Sequence, residues 1–105
     1  MSFEAKVKCA GNEVRITLQG DLDSTSVEAL HERLQGLASA GVDRMVLDVT
    51  DLDYMSSAGL RELVFLRQKM PGEVEVVIVG ATDSVAETIQ LTGFDRSVTM
   101  RLDEV

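Results

Sequence analysis

Two adjacent serines, Ser56 and Ser57, stand where an apolar stretch ending in acidic residues gives way, through a short loop, to an amphipathic helix pattern. A serine at a helix N-terminus lies beside free backbone N–H groups and the positive end of the macrodipole, which together can receive a phosphate. That placement suits a hydroxyl that is reversibly phosphorylated, with Ser57 the first candidate and Ser56 the second. The plain alternative is that both serines only cap the helix, a role worth about 1 kcal/mol. A phosphate would add roughly −1.5 to −2 charges at pH 7 near Asp48, Asp51 and Asp53, with Arg61 one turn along the helix. Helix N–H groups and Arg61 favour the added group, and the carboxylates oppose it.

Other chemistries find few residues. One cysteine, Cys9, and one histidine, His31, leave no metal-ligand spacing. His31 lies beside the apolar stripe of the first helix pattern and reads as a surface or edge histidine. Cys9 sits in an edge-strand pattern and reads as a small buried apolar residue. The aspartates lack the ordered calcium-loop pattern. Neither a Gly-x-Ser-x-Gly elbow nor a Gly-x-x-x-x-Gly-Lys-(Ser/Thr) loop occurs. The expectation is a protein without catalytic constellation, metal or cofactor.

The elements that must position the serines follow from periodicity. Phe3, Ala5, Val7 and Cys9 alternate with charged residues, Gly11-Asn12 supplies a turn, and Val14, Ile16 and Leu18 alternate again. This predicts a hairpin. Ser24 or Thr25 caps a first helix, with Thr25 and Glu28 at capping-box spacing. Val27, Leu30, Leu34 and Leu37 form its buried stripe, and Gly41 ends it. Met45 to Val49 reads as a central strand covered on both faces. The serine-capped helix runs from about Ser57 to Met70 and stops before Pro71-Gly72. Val74 to Val79 is another apolar strand. Thr82 or Asp83 caps a third helix, with Val85 and Ile89 inward and Gly93 at its end, and Ser97 to Met100 is a short last strand. The order β-β-α-β-α-β-α-β predicts parallel crossovers within a mixed sheet, in one α/β domain over residues 1–105.

On a helical wheel Leu60, Leu63, Val64, Leu66 and Met70 share one face, expected to be core. Phe65 falls almost opposite, near Ala58, with Arg61 on its flank. It is a candidate interface anchor, or it packs on a neighbouring helix of the same domain. Arg67 falls inside the apolar arc and is expected to snorkel at the helix end.

Net charge is −8 and the pI is near 4.5, which argues against binding nucleic acid or anionic membrane through a basic patch. No apolar run approaches the ~18–20 residues of a membrane span. The start lacks the basic and apolar blocks of a signal peptide, and the single cysteine forms no internal disulfide. Together these point to the cytoplasm.

Three motifs carry a family resemblance. Tyr54-Met55-Ser56-Ser57-Ala58-Gly59-Leu60 follows the acid-ended strand without a gap. Gly20-Asp21-Leu22-Asp23 precedes the first helix, and Thr92-Gly93-Phe94 follows the third. In this order and spacing the chain resembles, over nearly its whole length, the STAS-domain anti-sigma factor antagonists of bacterial partner-switching systems. Ser56 stands where many members have Asp, and Ala58 where Ser or Thr is common. The resemblance implies that Ser57 is the phosphoacceptor and that Asp21, Asp23, Ser56, Ala58 and Arg61 lie on the partner-binding surface, although Asp21 and Asp23 also read as acids of a helix-entry loop. It implies an unphosphorylated form that binds a serine kinase/anti-sigma factor of the histidine-kinase-like ATPase class and releases a sigma factor. Phosphorylation ends binding, and a metal-dependent serine phosphatase restores it. Family members often carry a further C-terminal helix, which the end at Val105 leaves short or missing. Rival readings are a STAS regulator of secretion, biofilm or second-messenger output, a lipid-transport subunit, a small enzyme or nucleotide-binding domain, or, least, a detached anion-transporter domain.

Overall fold

The alternating segments pair as expected. In the computed structural model, which describes residues 3–37 and 41–101, β1 (Phe3–Ala10) and β2 (Glu13–Leu22) form an antiparallel hairpin through Gly11-Asn12. There follow α1 (Val27–Leu34), β3 (Arg44–Met55), α2 (Ser57–Lys69), β4 (Glu75–Val79), α3 (Asp83–Thr92), a 3-10 turn at Phe94–Arg96 and β5 (Thr99–Arg101). From β2 onward each strand pairs parallel with the next, so the sheet order β1-β2-β3-β4-β5 follows the chain. Successive crossovers of one hand place the helices on one face of such a sheet. Leu30 and Leu34 of α1, Leu60, Leu63 and Leu66 of α2, and Val85 and Ile89 of α3 share one core with Ile16, Leu18, Met45, Leu47 and Ile78. Val46, Val77 and Val79 form a separate buried cluster on the opposite face. Met45, Val46 and Leu47 of β3 are thus buried on both faces, as the apolar start of the strand requires.

Several local expectations are corrected. The Thr25–Glu28 capping box does not form: α1 starts after Ser26, and Ser26 makes no side-chain cap bond to the helix. The stop comes at Leu34, because Gly36 takes a left-handed φ of +84° just beyond. Leu37 stays buried without being helical, and residues 38–40, before the expected stop at Gly41, lie outside the described residues. β3 does not end at Val49. It runs on to Met55 through what reads as a loop. Cys9 is exposed, not buried: it lies near the end of β1, an edge strand, where Lys8 and Ala10 are exposed as well.

Other expectations hold. Thr82 caps α3 by accepting from the Val85 N–H at 3.3 Å, and Gly93 ends it in the left-handed region at φ +80°. The α2 wheel is right: Leu60, Leu63, Leu66 and Met70 are buried, Val64 is half-buried and Phe65 is 45% exposed. Arg67 does more than snorkel: it donates to the carbonyls of Ser97, Pro71 and Gly72 at 3.3–3.4 Å and ties the end of α2 to two loops. The expected shortened C-terminal helix falls on residues 102–105, outside the described residues. No helix among the described residues is long and apolar enough to cross a membrane.

Candidate functional site

The site begins with a mismatch between two paired strands. From Thr17↔Asp48 to Leu22↔Met55, β2 advances five residues while β3 advances seven, through two register shifts. Each shift inserts an extra residue into β3, a bulge that bends the strand and re-aims its side chains. Gly20, at the second shift, takes a φ of +90°, a conformation that costs other residues about 1 kcal/mol or more. The bulges explain a pattern that plain alternation forbids. Leu52 and Met55, three residues apart, are both buried, while Asp51, Asp53 and Tyr54 are exposed.

The same mismatch brings the two ends level. Asp21 pairs with Tyr54 and Leu22 with Met55, and the Ser56 N–H donates to the Leu22 carbonyl at 2.8 Å. The acids of the Gly20-Asp21-Leu22-Asp23 motif therefore flank the serine pair across adjacent strands. α2 begins at once. Ser56, in extended conformation, is its N-cap, and its Oγ accepts from the Gly59 N–H at 3.1 Å. Ser57 is the first helical residue and is exposed. The N–H groups of Ser57 and Ala58 are among the first-turn donors that have no partner within a helix. Gly59 is required by packing: a Cβ there would fall on Leu22 Cγ and lie 2.8 Å from Leu22 Cδ2. The helix start is thus held against the end of β2, within one turn of the exposed hydroxyl.

Asp21 is half-buried beside Tyr54. Asp23 is more committed. Its Oδ1 accepts from the Thr25 N–H at 2.9 Å and from the Thr25 hydroxyl at 2.5 Å, with the Ser26 hydroxyl 3.1 Å away. These bonds, the Thr25 hydroxyl first, hold its carboxyl below the usual carboxylate range. Ser26 is buried and donates to the Asp21 carbonyl at 2.8 Å. Further down the strand, Asp48 binds the Thr50 N–H at 3.1 Å, the Thr50 hydroxyl at 2.7 Å and Arg15 at 2.8 Å. Burial opposes its ionisation, but the Thr50 and Arg15 bonds outweigh burial and hold it below its ordinary value.

Of the residues singled out in the sequence, Asp21, Asp23, Ser56, Ser57 and Ala58 are therefore brought to one end of the sheet. Arg61 is exposed one turn along α2. Phe65 lies eight residues from Ser57, about 12 Å down the helix, and lines a groove against α1. Two residues escape a sequence reading. Tyr54, 48% exposed beside Asp21, is re-aimed by bulges that periodicity does not reveal. Ser26 is hidden by the more obvious capping pair one residue earlier. Among the described residues no group of three His, Cys, Asp or Glu side chains could hold a metal ion.

Comparison with known proteins matches this architecture. A family model described as the STAS domain aligns with residues 4–105. BtrV of Bordetella bronchiseptica, a candidate anti-sigma factor antagonist, is 36% identical over 78 residues, covering 73% of this chain and 67% of BtrV. The crystal structure of an anti-sigma factor antagonist from Mycobacterium paratuberculosis superposes with a TM-score of 0.86 at 20% identity, over 95% of this chain and 86% of that one. The Bacillus cell-fate determinant SpoIIAA superposes in both of its solved forms at 16% identity. The TM-score is 0.79 for the unphosphorylated form, over 97% of this chain and 89% of that one. It is 0.72 for the phosphorylated form, over 99% and 92%.

Proposed function

The chain belongs to the STAS domain family, and from that membership we propose that it is an anti-sigma factor antagonist switched by phosphorylation of Ser57. Its unphosphorylated form binds, in the cytoplasm, a serine kinase/anti-sigma factor of the histidine-kinase-like ATPase class, and the bound kinase lets go of its sigma factor. The kinase then phosphorylates Ser57 and the complex parts. A metal-dependent serine phosphatase restores the binding form. The protein is substrate and ligand in this cycle and performs no catalysis of its own. Asp21, Asp23, Ser56, Ala58, Arg61 and Phe65 contribute the binding surface.

The observation that carries this reading is a division of labour between neighbours. Ser56 supplies the capping oxygen to Gly59, so Ser57, exposed at the first helical position, is not needed for the fold. A phosphate on its Oγ would meet the uncapped N–H groups of the first turn and Arg61 one turn on. Asp21 and Asp23 flank the serine pair from the adjacent strand, so the added charge works against a tight interface more than against the domain itself. SpoIIAA keeps the fold this chain shares in both of its forms, which supports a switch that acts at the surface.

A quantitative pull-down from native lysate tests the reading, with wild type, Ser57→Ala and Ser57→Asp as baits. Ser57→Ala is expected to retain an ATPase-type kinase that Ser57→Asp loses. Recovery of the same proteins by all three baits would make Ser57 a structural residue only. With the kinase in hand, Phe65→Ala is expected to weaken binding at least tenfold, a change of about 1.4 kcal/mol or more. It should move the urea midpoint by no more than about 0.5 kcal/mol of stability, as for an exposed side chain.

A further inference from the structure

We propose that the groove between α1 and α2 is a docking site, separate from Ser57, for a partner segment carrying a large apolar side chain next to a carboxylate. The groove encloses about 230 Å³ and is lined by His31, Leu34, Glu62, Phe65, Leu66 and Lys69 among others. That volume suits one aromatic or large aliphatic side chain, given that an apolar cavity of about 150 Å³ holds a benzene ring. Leu34 and Leu66, both 6% exposed, make an apolar floor, and Phe65, 45% exposed, forms a wall. An aromatic half in water beside such a floor fits the anchor pockets that dominate protein interfaces.

The charges select the occupant. Glu62 is already engaged, with its Oε1 2.7 Å from His31 Nδ1, a pair that also joins the two helices. Lys69 is exposed and has no ion-pair partner among the described residues. It lies two turns from Glu62, about 10 Å along α2. The groove therefore offers an apolar slot with Lys69 at one end and the His31–Glu62 pair at the other, and a carboxylate beside the anchor side chain complements the lysine end. The lysine end of the groove differs in sign from the Ser57 end, where Asp21 and Asp23 flank the serines. The two ends of α2 thus suit different partner surfaces, with Phe65 about 12 Å and Lys69 about 18 Å along the helix from Ser57. A partner held in the groove would present Ser57 at high effective concentration for phosphate transfer.

The identity of the partner rests on the switch reading above, but the groove's preference does not. The test is peptide phage display panned on the folded wild-type chain, followed by synthesis of the enriched peptides and titration watched by 1H–15N NMR. The expected outcome is a consensus with Leu, Ile, Met, Phe or Trp within four residues of Asp or Glu, and amide shifts at His31, Phe65 and Lys69. Affinity should fall at least tenfold in Phe65→Ala and about fivefold in Lys69→Glu, and stay within twofold in Ser57→Asp. Peptides that bind Phe65→Ala and Lys69→Glu as well as wild type overturn the proposal, as does a panning that enriches no binder. Loss of binding in Ser57→Asp overturns the separation of the two sites. The bait experiment above can fail while the peptide result stands, and the reverse, so the two readings are judged apart.

Discussion

Two helices of this chain begin beside serines, and the serines do opposite work. At α1 the hydroxyl of Ser26 is buried, donates to the Asp21 carbonyl and belongs to a turn organised by Asp23 and Thr25. At α2 the capping falls to Ser56, and Ser57 is left in solvent. The first start is held by polar bonds and serves an eight-residue helix. The second is held by packing of Gly59 on Leu22 and serves a thirteen-residue one. A hydroxyl at a helix start is available for chemistry only when something else fixes the start. Here a neighbouring cap and a close apolar contact do so.

The strongest way to break this contrast is to disturb the packing. Gly59→Ala gains up to about 1 kcal/mol of helix propensity, but its methyl collides with the fully buried Leu22 side chain. Overpacking of this kind costs about 1–3 kcal/mol. A net loss of up to about 2 kcal/mol is expected in urea unfolding, with resonances of the first turn of α2 displaced. A stabilised variant would show that Leu22 yields and that packing does not hold the helix start.

An alanine series sharpens the contrast at the next level. Ser26→Ala removes a buried donor and leaves the Asp21 carbonyl short of a partner, an expected loss of about 1–2 kcal/mol. Ser56→Ala removes the cap at an expected cost of about 1 kcal/mol. Ser57→Ala should stay within about 0.5 kcal/mol of wild type, as for an exposed site without such features. Urea midpoints at constant m-value give the ranking. If Ser57→Ala proved as costly as Ser56→Ala, the division of labour between the two serines would be lost.

The contrast also marks what the chain shows before it is folded. The hairpin, the parallel strands, the buried face of α2, the Thr82 cap and the Gly93 stop all rest on local rules acting alone: alternation, helical period, a capping oxygen, a left-handed glycine. The family motifs made Asp21, Asp23 and Ser57 legible as a group. The bulges of β3 were not, because Asp51, Asp53 and Tyr54 interrupt alternation just as a loop does. Only pairing with β2 shows the segment to be strand. Ser26 was hidden because Thr25 satisfies the same capping rule on paper, while in the fold its hydroxyl turns back to Asp23. Cys9 went astray because alternation assigns a face without saying whether anything covers it. In each case a tertiary contact decided between two locally acceptable answers.

Acid gives the gentlest test of the two helix starts. Asp23 has a folded pKa held below its unfolded value of about 3.9, so its contribution to stability is present above that value. It is lost as pH falls through the folded one. Asp48 has the same sign and sits away from either start, so it adds to the global acid slope without favouring α1 or α2. The cap at α2 is a hydroxyl and does not titrate. On lowering the pH from 6 to 2.5, the Thr25 amide, which donates to Asp23, should lose protection and shift along the titration of that carboxyl. The Gly59 amide, which donates to Ser56, should hold until global unfolding. Amide-resolved pH titration by NMR measures both in one sample. Asp23→Asn should remove the Thr25 titration and leave Gly59 untouched. Simultaneous loss at both amides in wild type would mean that the two starts melt as one unit, and that α2 depends on the polar turn of α1 more than on its own packing against Leu22.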